Sequence, residues 1–180
     1  AAALEPVLKK AIDAKICVCS FGAPATPDGR MLDISECEGG QMSEMLLNEI
    51  LDISEGEGSF AVVSSFITSS NQKNWISEIE KLLDSDSRYS GLTLSNIAYG
   101  DDDYRISYDQ TISLLKADPD IKVICGLSTV GMQGAAQALR DTGSSVKLIG
   151  LGLPSEMSDY VGEDKEVPCF FMWNPIHLGR

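Results

Sequence analysis

The 180-residue chain holds a single histidine, His177. That leaves one candidate for Ser/His/Asp or Cys/His catalysis, and beside Pro175 it reads as a surface or cleft-edge residue. Positive charge is also scarce: 14 basic side chains stand against 27 acidic ones, for a net charge of −13. An acidic surface repels phosphate backbones, which argues against nucleic acid as a partner. No window approaches about 18 consecutive apolar residues, so no membrane-spanning helix is expected. The opening Ala1-Ala2-Ala3-Leu4-Glu5-Pro6 lacks the basic start and apolar stretch of a secretory signal. The chain is therefore either cytosolic or targeted by a segment upstream of residue 1. No Gly-x-x-x-x-Gly-Lys-Ser/Thr phosphate loop is present. Gly150-Leu151-Gly152 follows an expected strand but lacks the third glycine of a dinucleotide fingerprint. Cys17-Val18-Cys19 puts two thiols on one strand face, yet a closed zinc site needs about four ligands and no second pair exists. The five cysteines, odd in number and mostly within apolar runs, read as buried thiols rather than a disulfide framework. No metal and no cofactor are expected.

What is present is an ordinary globular balance, 43% hydrophobic and 23% charged, in a length that suits one domain or one lobe of a larger protein. Leu4, Val7, Leu8, Ala11 and Ile12 recur at helical spacing, followed by a strand-length apolar run from Ile16 to Phe21. Residues 22–29 have loop composition, and Met31 to Glu36 reads as a second strand. Met42, Met45, Leu46, Ile50 and Ile53 mark one helix face. Ser59 to Ile67 is a strand apolar enough to be covered on both sides. Trp75, Ile76, Ile79, Leu82 and Leu83 mark an amphipathic helix capped by Ser69 or Ser70. Strands are expected over Leu92–Ala98, Lys122–Gly126, Val146–Leu151 and Val167–Trp173. Helices are expected over Tyr104–Lys116, Ser128–Arg140 and, shorter, Ser155–Val161, and Asn174–Arg180 reads as the start of another. Asp101-Asp102-Asp103 lacks the spacing of a calcium loop and reads as a solvated helix entry.

Strands alternating with helices predict an α/β fold, a doubly wound three-layer sandwich around a mostly parallel sheet. Such sheets bind ligands at the carboxyl ends of their strands. Three turns there carry polar groups: Ser69 to Trp75, Leu127-Ser128-Thr129, and Trp173-Asn174-Pro175. Amide side chains offer donor and acceptor together and an indole offers a flat apolar face, a combination suited to a neutral polyhydroxylated ligand. Local capping by Ser70 and Ser128, and core packing by Trp75 and Trp173, are the competing structural roles. For Asn71, Gln72 and Asn174, ligand contact and turn chemistry weigh about equally. No carboxylate pair can be assigned to acid–base work, and no catalytic residue emerges.

Pro27-Asp28-Gly29-Arg30, Asn71-Gln72-Lys73-Asn74-Trp75, Leu114 to Asp120, Ala135-Ala136-Gln137-Ala138 and Trp173-Asn174-Pro175 occur in an order that resembles a known family. It is that of the type I periplasmic binding proteins of sugar ABC transporters, in the rhamnose and autoinducer-2 binding branch. The resemblance implies two doubly wound lobes joined by crossovers, with the ligand between them. It assigns residues 1–26 to a helix, strand and crossover of the first lobe. Residues 27–180 become the C-terminal ligand-binding lobe, incomplete at its C-terminus. By the same resemblance Asn71 and Gln72 stand where the branch has a ligand-binding Asp-Gln pair. Leu127, Ser128 and Thr129 line the pocket, Trp173 packs on the ligand, and Asn174 hydrogen-bonds it. Two departures are visible. Phe21 is followed by Gly22 and Ala23 where the branch has an aspartate, and Asn71 replaces an aspartate. Rhamnose and autoinducer-2 themselves are therefore less favoured than a small sugar-like ligand in general.

The expected function is a non-catalytic substrate-binding component of an ABC transporter, with a membrane permease as partner. The expected location is periplasmic or extracytoplasmic, lipid-anchored in a Gram-positive organism, with no signal peptide in this chain. Self-association through Ile16 to Phe21 is expected where a first lobe is lacking. The alternatives are the effector-sensing domain of a LacI-like transcription regulator and a Rossmann-like enzyme domain.

Overall fold

A computed structural model describes residues 2–35, 37, 40–174, 176 and 179. The expected strand end at Glu36, and Pro175 and His177 in the expected terminal helix start, lie outside the described residues. The chain forms two compact units, residues 40–172 and residues 1–39 with 173–180.

In the smaller unit, α1 (Glu5–Asp13) starts at a proline in its first turn, where the missing N–H costs nothing. Lys9 bridges Glu5 at 2.9 Å and Asp28 at 3.1 Å. A short parallel pair joins β1 (Cys19–Phe21) to β2 (Leu32–Ile34). Ser20 donates across the pair to Asp33, which also holds Arg30 at 2.9 Å. Both strands are shorter than their apolar runs predict. Leu4, Val7, Ile16, Phe21, Met31 and Leu32 remain exposed.

The larger unit holds the doubly wound sheet. Its strands are β3 (Gly58–Ser64), β4 (Leu92–Tyr99), β5 (Ile121–Gly126) and β6 (Lys147–Gly150), ordered β4-β3-β5-β6 and all parallel. Every strand of β3 and β5 type is apolar on both faces, as a doubly covered sheet requires. Phe60, Val62, Val63, Val123 and Ile124 are at most 1% exposed. α2 (Gln41–Ile53) and α3 (Ser70–Ser85) pack together, and the Ser43 hydroxyl donates to the Trp75 carbonyl at 2.9 Å. α4 (Tyr104–Ala117) and α5 (Thr129–Thr142) form the other helix pair. Ala61, Val63, Ile124 and Leu148 join Leu114, Met132, Ala135 and Leu139 in one core. The Gly134 α-carbon sits against the Tyr104 carbonyl, where an added methyl would lie 2.5 Å from that oxygen. This is what lets α4 and α5 approach so closely.

The element starts follow from cap chemistry. Asp103 accepts from the Ile106 N–H at 2.9 Å, and Ser128 accepts from the Gly131 N–H at 3.1 Å. The triple aspartate is therefore an exposed helix entry, as its spacing implies. Ser69 occupies the N-cap position of α3 but makes no cap bond. Two expectations change. β3 stops at Ser64, and Phe66 and Ile67 lie on the following turn, 48% and 62% exposed. The stretch expected as a strand over Val167–Trp173 makes only single-residue bridges, Val161 with Val167 and Leu151 with Phe171. Val167 still buries its side chain in the core. A short α6 (Pro154–Met157) precedes it.

Candidate functional site

The chain leaves β3 toward β4 on one side of the sheet and leaves β5 toward β6 on the other. The strand order thus reverses between β3 and β5. At such a switch point the two exit turns diverge, and a crevice opens outside the carboxyl ends of the strands. The turns that diverge here are 65–69 with the first turn of α3, and 127–128 with the first turn of α5. Asn71, Gln72, Ser128 and Thr129 sit on them.

Gln72 fastens the two turns together. Its side-chain oxygen accepts from the Ser64 hydroxyl and from the Ser65 N–H, each at 2.7 Å. Its nitrogen donates to the Leu127 carbonyl at 2.9 Å. Only 8% of the residue is exposed. Both acceptor positions and one of two N–H groups are therefore used internally, and one N–H is left over. Leu127 is equally committed. Its N–H donates to the Val63 carbonyl at 2.9 Å, its carbonyl takes the Gln72 amide, and its side chain is buried. Both residues are held by bonds within the protein.

The outward groups are Asn71, Ser128 and Thr129, all half-buried. Asn71 accepts a long contact of 3.5 Å from Ser69. Ser128 spends its oxygen as the α5 cap, as its competing structural role anticipated, but keeps its hydroxyl proton. The first N–H groups of α5 have no intrahelical partner, which adds donors at Thr129 and Val130. The groups contributed by these two turns are neutral amides, hydroxyls and backbone donors. Trp75 is core, 6% exposed. Trp173 and Asn174 belong to the smaller unit. There Trp173 is 38% exposed and Asn174 accepts from the Ile176 N–H at 3.0 Å.

Ser64 and Ser65 were not singled out from the sequence, although two serines ending an apolar run mark where a buried strand meets a polar turn. Among the described residues, no group of three or more His, Cys, Asp or Glu is placed to hold a metal. Of the cysteines expected as buried thiols only Cys125 is buried, while Cys17 and Cys19 are exposed. Burial pushes the Cys125 thiol up to about 12, and Cys169 is likewise raised to about 12 by burial with Glu49 beside it.

Comparison with solved structures gives close matches. A solute-binding protein of an ABC transporter from Clostridium phytofermentas, with bound L-rhamnose, is 45% identical with a TM-score of 0.91. A sugar ABC transporter protein from Actinomyces odontolyticus is 35% identical with a TM-score of 0.80. The chain is covered to 98% in both, yet spans only 56% and 57% of theirs. LsrB from Clostridium saccharobutylicum in complex with AI-2 shares the fold at 24% identity and a TM-score of 0.77, over 88% of this chain and 52% of that one. Comparison with curated protein sequences gives no significant match. The family model for the periplasmic binding protein domain matches residues 1–180, and the chain belongs to the periplasmic binding protein family.

Proposed function

We propose that the chain is one lobe of the substrate-binding component of an ABC transporter, holding a small sugar or sugar-like ligand without catalysis. The observation that carries this reading is the pair of exit turns at the switch point of the sheet. These turns offer uncharged donors and acceptors, in a chain 45% identical to a protein with L-rhamnose bound. Asn71, Ser128 and Thr129 hydrogen-bond the sugar hydroxyls, while Gln72 and Leu127 wall the crevice. In the smaller unit, the Trp173 indole face and the Asn174 amide are also suited to a sugar by residue type. A sugar ring presents hydroxyls at its edge and apolar C–H groups on its faces, so it uses both kinds of group.

Residues 1–26 belong to the first lobe of the whole protein, which closes on the second around ligand. The whole protein works outside the cytoplasm, anchored by lipid in a Gram-positive organism, and delivers its ligand to a membrane permease. The exposed apolar side chains around Ile16 to Phe21 support self-association of this chain by itself. Light scattering that finds only monomer at high concentration contradicts that last statement.

The functional reading is tested by isothermal titration and thermal shift with L-rhamnose, D-arabinose and D-glucose. The protein carrying both lobes gains melting temperature with at least one of them, while this chain alone gives little heat. Submillimolar binding by this chain alone contradicts the two-lobe reading. A longer protein whose melting temperature no sugar raises contradicts the sugar reading.

A further inference from the structure

We propose that Gln72 is a positioning residue, a clamp that fixes the spacing of the two crevice turns across the switch point. Three bonds carry the argument. The Ser64 hydroxyl and Ser65 N–H reach its oxygen at 2.7 Å, and its nitrogen reaches the Leu127 carbonyl at 2.9 Å. The first two bonds tie the clamp to the end of β3, and the third crosses to the turn after β5. Because Gln72 is buried, the bonds are not shared with bulk water, and each partner left unsatisfied loses its hydration as well. The Leu127 carbonyl carbon is bonded directly to the Ser128 nitrogen. Turning that peptide therefore turns Ser128 and the start of α5 with it. Gln72 sets the distance between Asn71, its own neighbour, and Ser128 on the opposite turn.

The clamp needs an acceptor and a donor on one planar group, which an amide or a neutral carboxylic acid supplies. Gln72→Glu converts this requirement into a pH response. As carboxylate, the new side chain still accepts from Ser64 and Ser65, but it meets the Leu127 carbonyl oxygen with a second acceptor and the turn opens. As acid, it donates to Leu127 and the clamp is restored. Burial raises the pKa of such a group. The other charged groups nearby are few. Lys73 is the next residue on α3, and the carboxyl end of β3 and the 127–129 turn carry none. The Asp101 N–H donates to the Ser65 carbonyl at 3.2 Å, ahead of Asp102 and Asp103 in the exposed entry to α4.

The test is amide NMR on the chain as it stands, comparing wild type, Gln72→Glu and Gln72→Met. In Gln72→Glu the Ser128 nitrogen shift moves between about pH 8 and about pH 5 toward its wild-type position, with hydrogen exchange at Ser65 and Leu127, whose N–H groups are bonded in the wild type, slowing in step. Wild type and Gln72→Met show no such titration at Ser128. A Ser128 signal in Gln72→Glu that ignores pH overturns the proposal. Should the charged variant unfold at neutral pH, Gln72→Asn carries the same question, because its shorter arm cannot reach Leu127. It speeds exchange of the Leu127 N–H, which donates to the Val63 carbonyl on the same turn, by about tenfold, and unchanged exchange there overturns the clamp. The inference rests on the sugar-binding reading only for its functional consequence. Added L-rhamnose shifts the Asn71 and Thr129 amides of wild type more than those of Gln72→Glu at pH 8. If the sugar shifts nothing in any variant while the Ser128 titration stands, the sugar reading fails and the clamp survives.

Discussion

Gly150 and Gly143 both have positive φ, at +140° and +62°, but their surroundings differ completely. A methyl added at Gly143, just past the end of α5, meets nothing within 4 Å. At Gly150, on the last residue of β6, it would lie 1.9 Å from the Gly126 carbonyl oxygen. Gly143→Ala therefore costs the left-handed backbone alone, about 1 kcal/mol. Gly150→Ala adds a clash with backbone that cannot move away while β5 and β6 stay paired. Relief means breaking bonds such as Leu151 N–H to the Gly126 carbonyl at 2.9 Å or Phe171 N–H to the Gly150 carbonyl at 2.7 Å. Each is worth about 1 kcal/mol net, and with the backbone strain the total reaches about 4 kcal/mol. At a urea slope of about 2 kcal/mol/M, the Gly150 variant loses about 2 M of unfolding midpoint and the Gly143 variant about 0.5 M. Urea titration followed by far-UV circular dichroism reads both. Equal losses in the two variants would refute the close approach of β5 and β6 next to the crevice.

Glu166 is held below its ordinary carboxylate range near 4.5 by its hydrogen bonds to Arg140, against the opposing effect of burial. A lowered folded pKa adds stability that is present above the ordinary value and is lost as pH falls through the folded one. Glu166→Gln therefore costs under about 1 kcal/mol at pH 7 for this partly exposed pair, and the cost vanishes at the acid end; urea midpoints across pH check the slope. Ser128→Ala removes the α5 cap and costs about 1 kcal/mol, again read from the urea midpoint. The Cys125 thiol, fully buried and raised to about 12, alkylates at least a thousandfold more slowly at pH 8 than the exposed Cys17 or Cys19, roughly in proportion to global unfolding. Peptide mapping after timed iodoacetamide exposure distinguishes the three.

Strong periodicity and cap residues made most of the larger unit readable in advance. Asp103 and Ser128 announce α4 and α5, and the apolar runs of β3 and β5 could only be doubly covered strands. Periodicity cannot separate apolar residues of a core from those of an exposed turn, which is why the apolar run predicts a strand through Phe66 and Ile67 although β3 ends at Ser64. Val167 shows the converse: it buries a side chain in the core from a segment with almost no ladder bonds. At the crevice, the polar turns were visible, and so was their shared edge, since parallel strands end together. The division of labour within them was not. Whether an amide faces ligand or protein depends on where its lone pairs find donors, and the Gln72 oxygen finds two from residues 64 and 65, eight and seven places earlier in the chain.

The central statement, that two turns at the carboxyl ends of β3 and β5 receive a neutral sugar, is tested most directly by titrating the isotope-labelled chain with L-rhamnose. Weak, saturating amide shifts are expected at Asn71, Ser128, Thr129 and Val130, with Lys116, Ser144 and Ser145 near the opposite strand ends unmoved. Shifts that centre on Lys116, Ser144 and Ser145 and spare Asn71 and Ser128 would contradict the account.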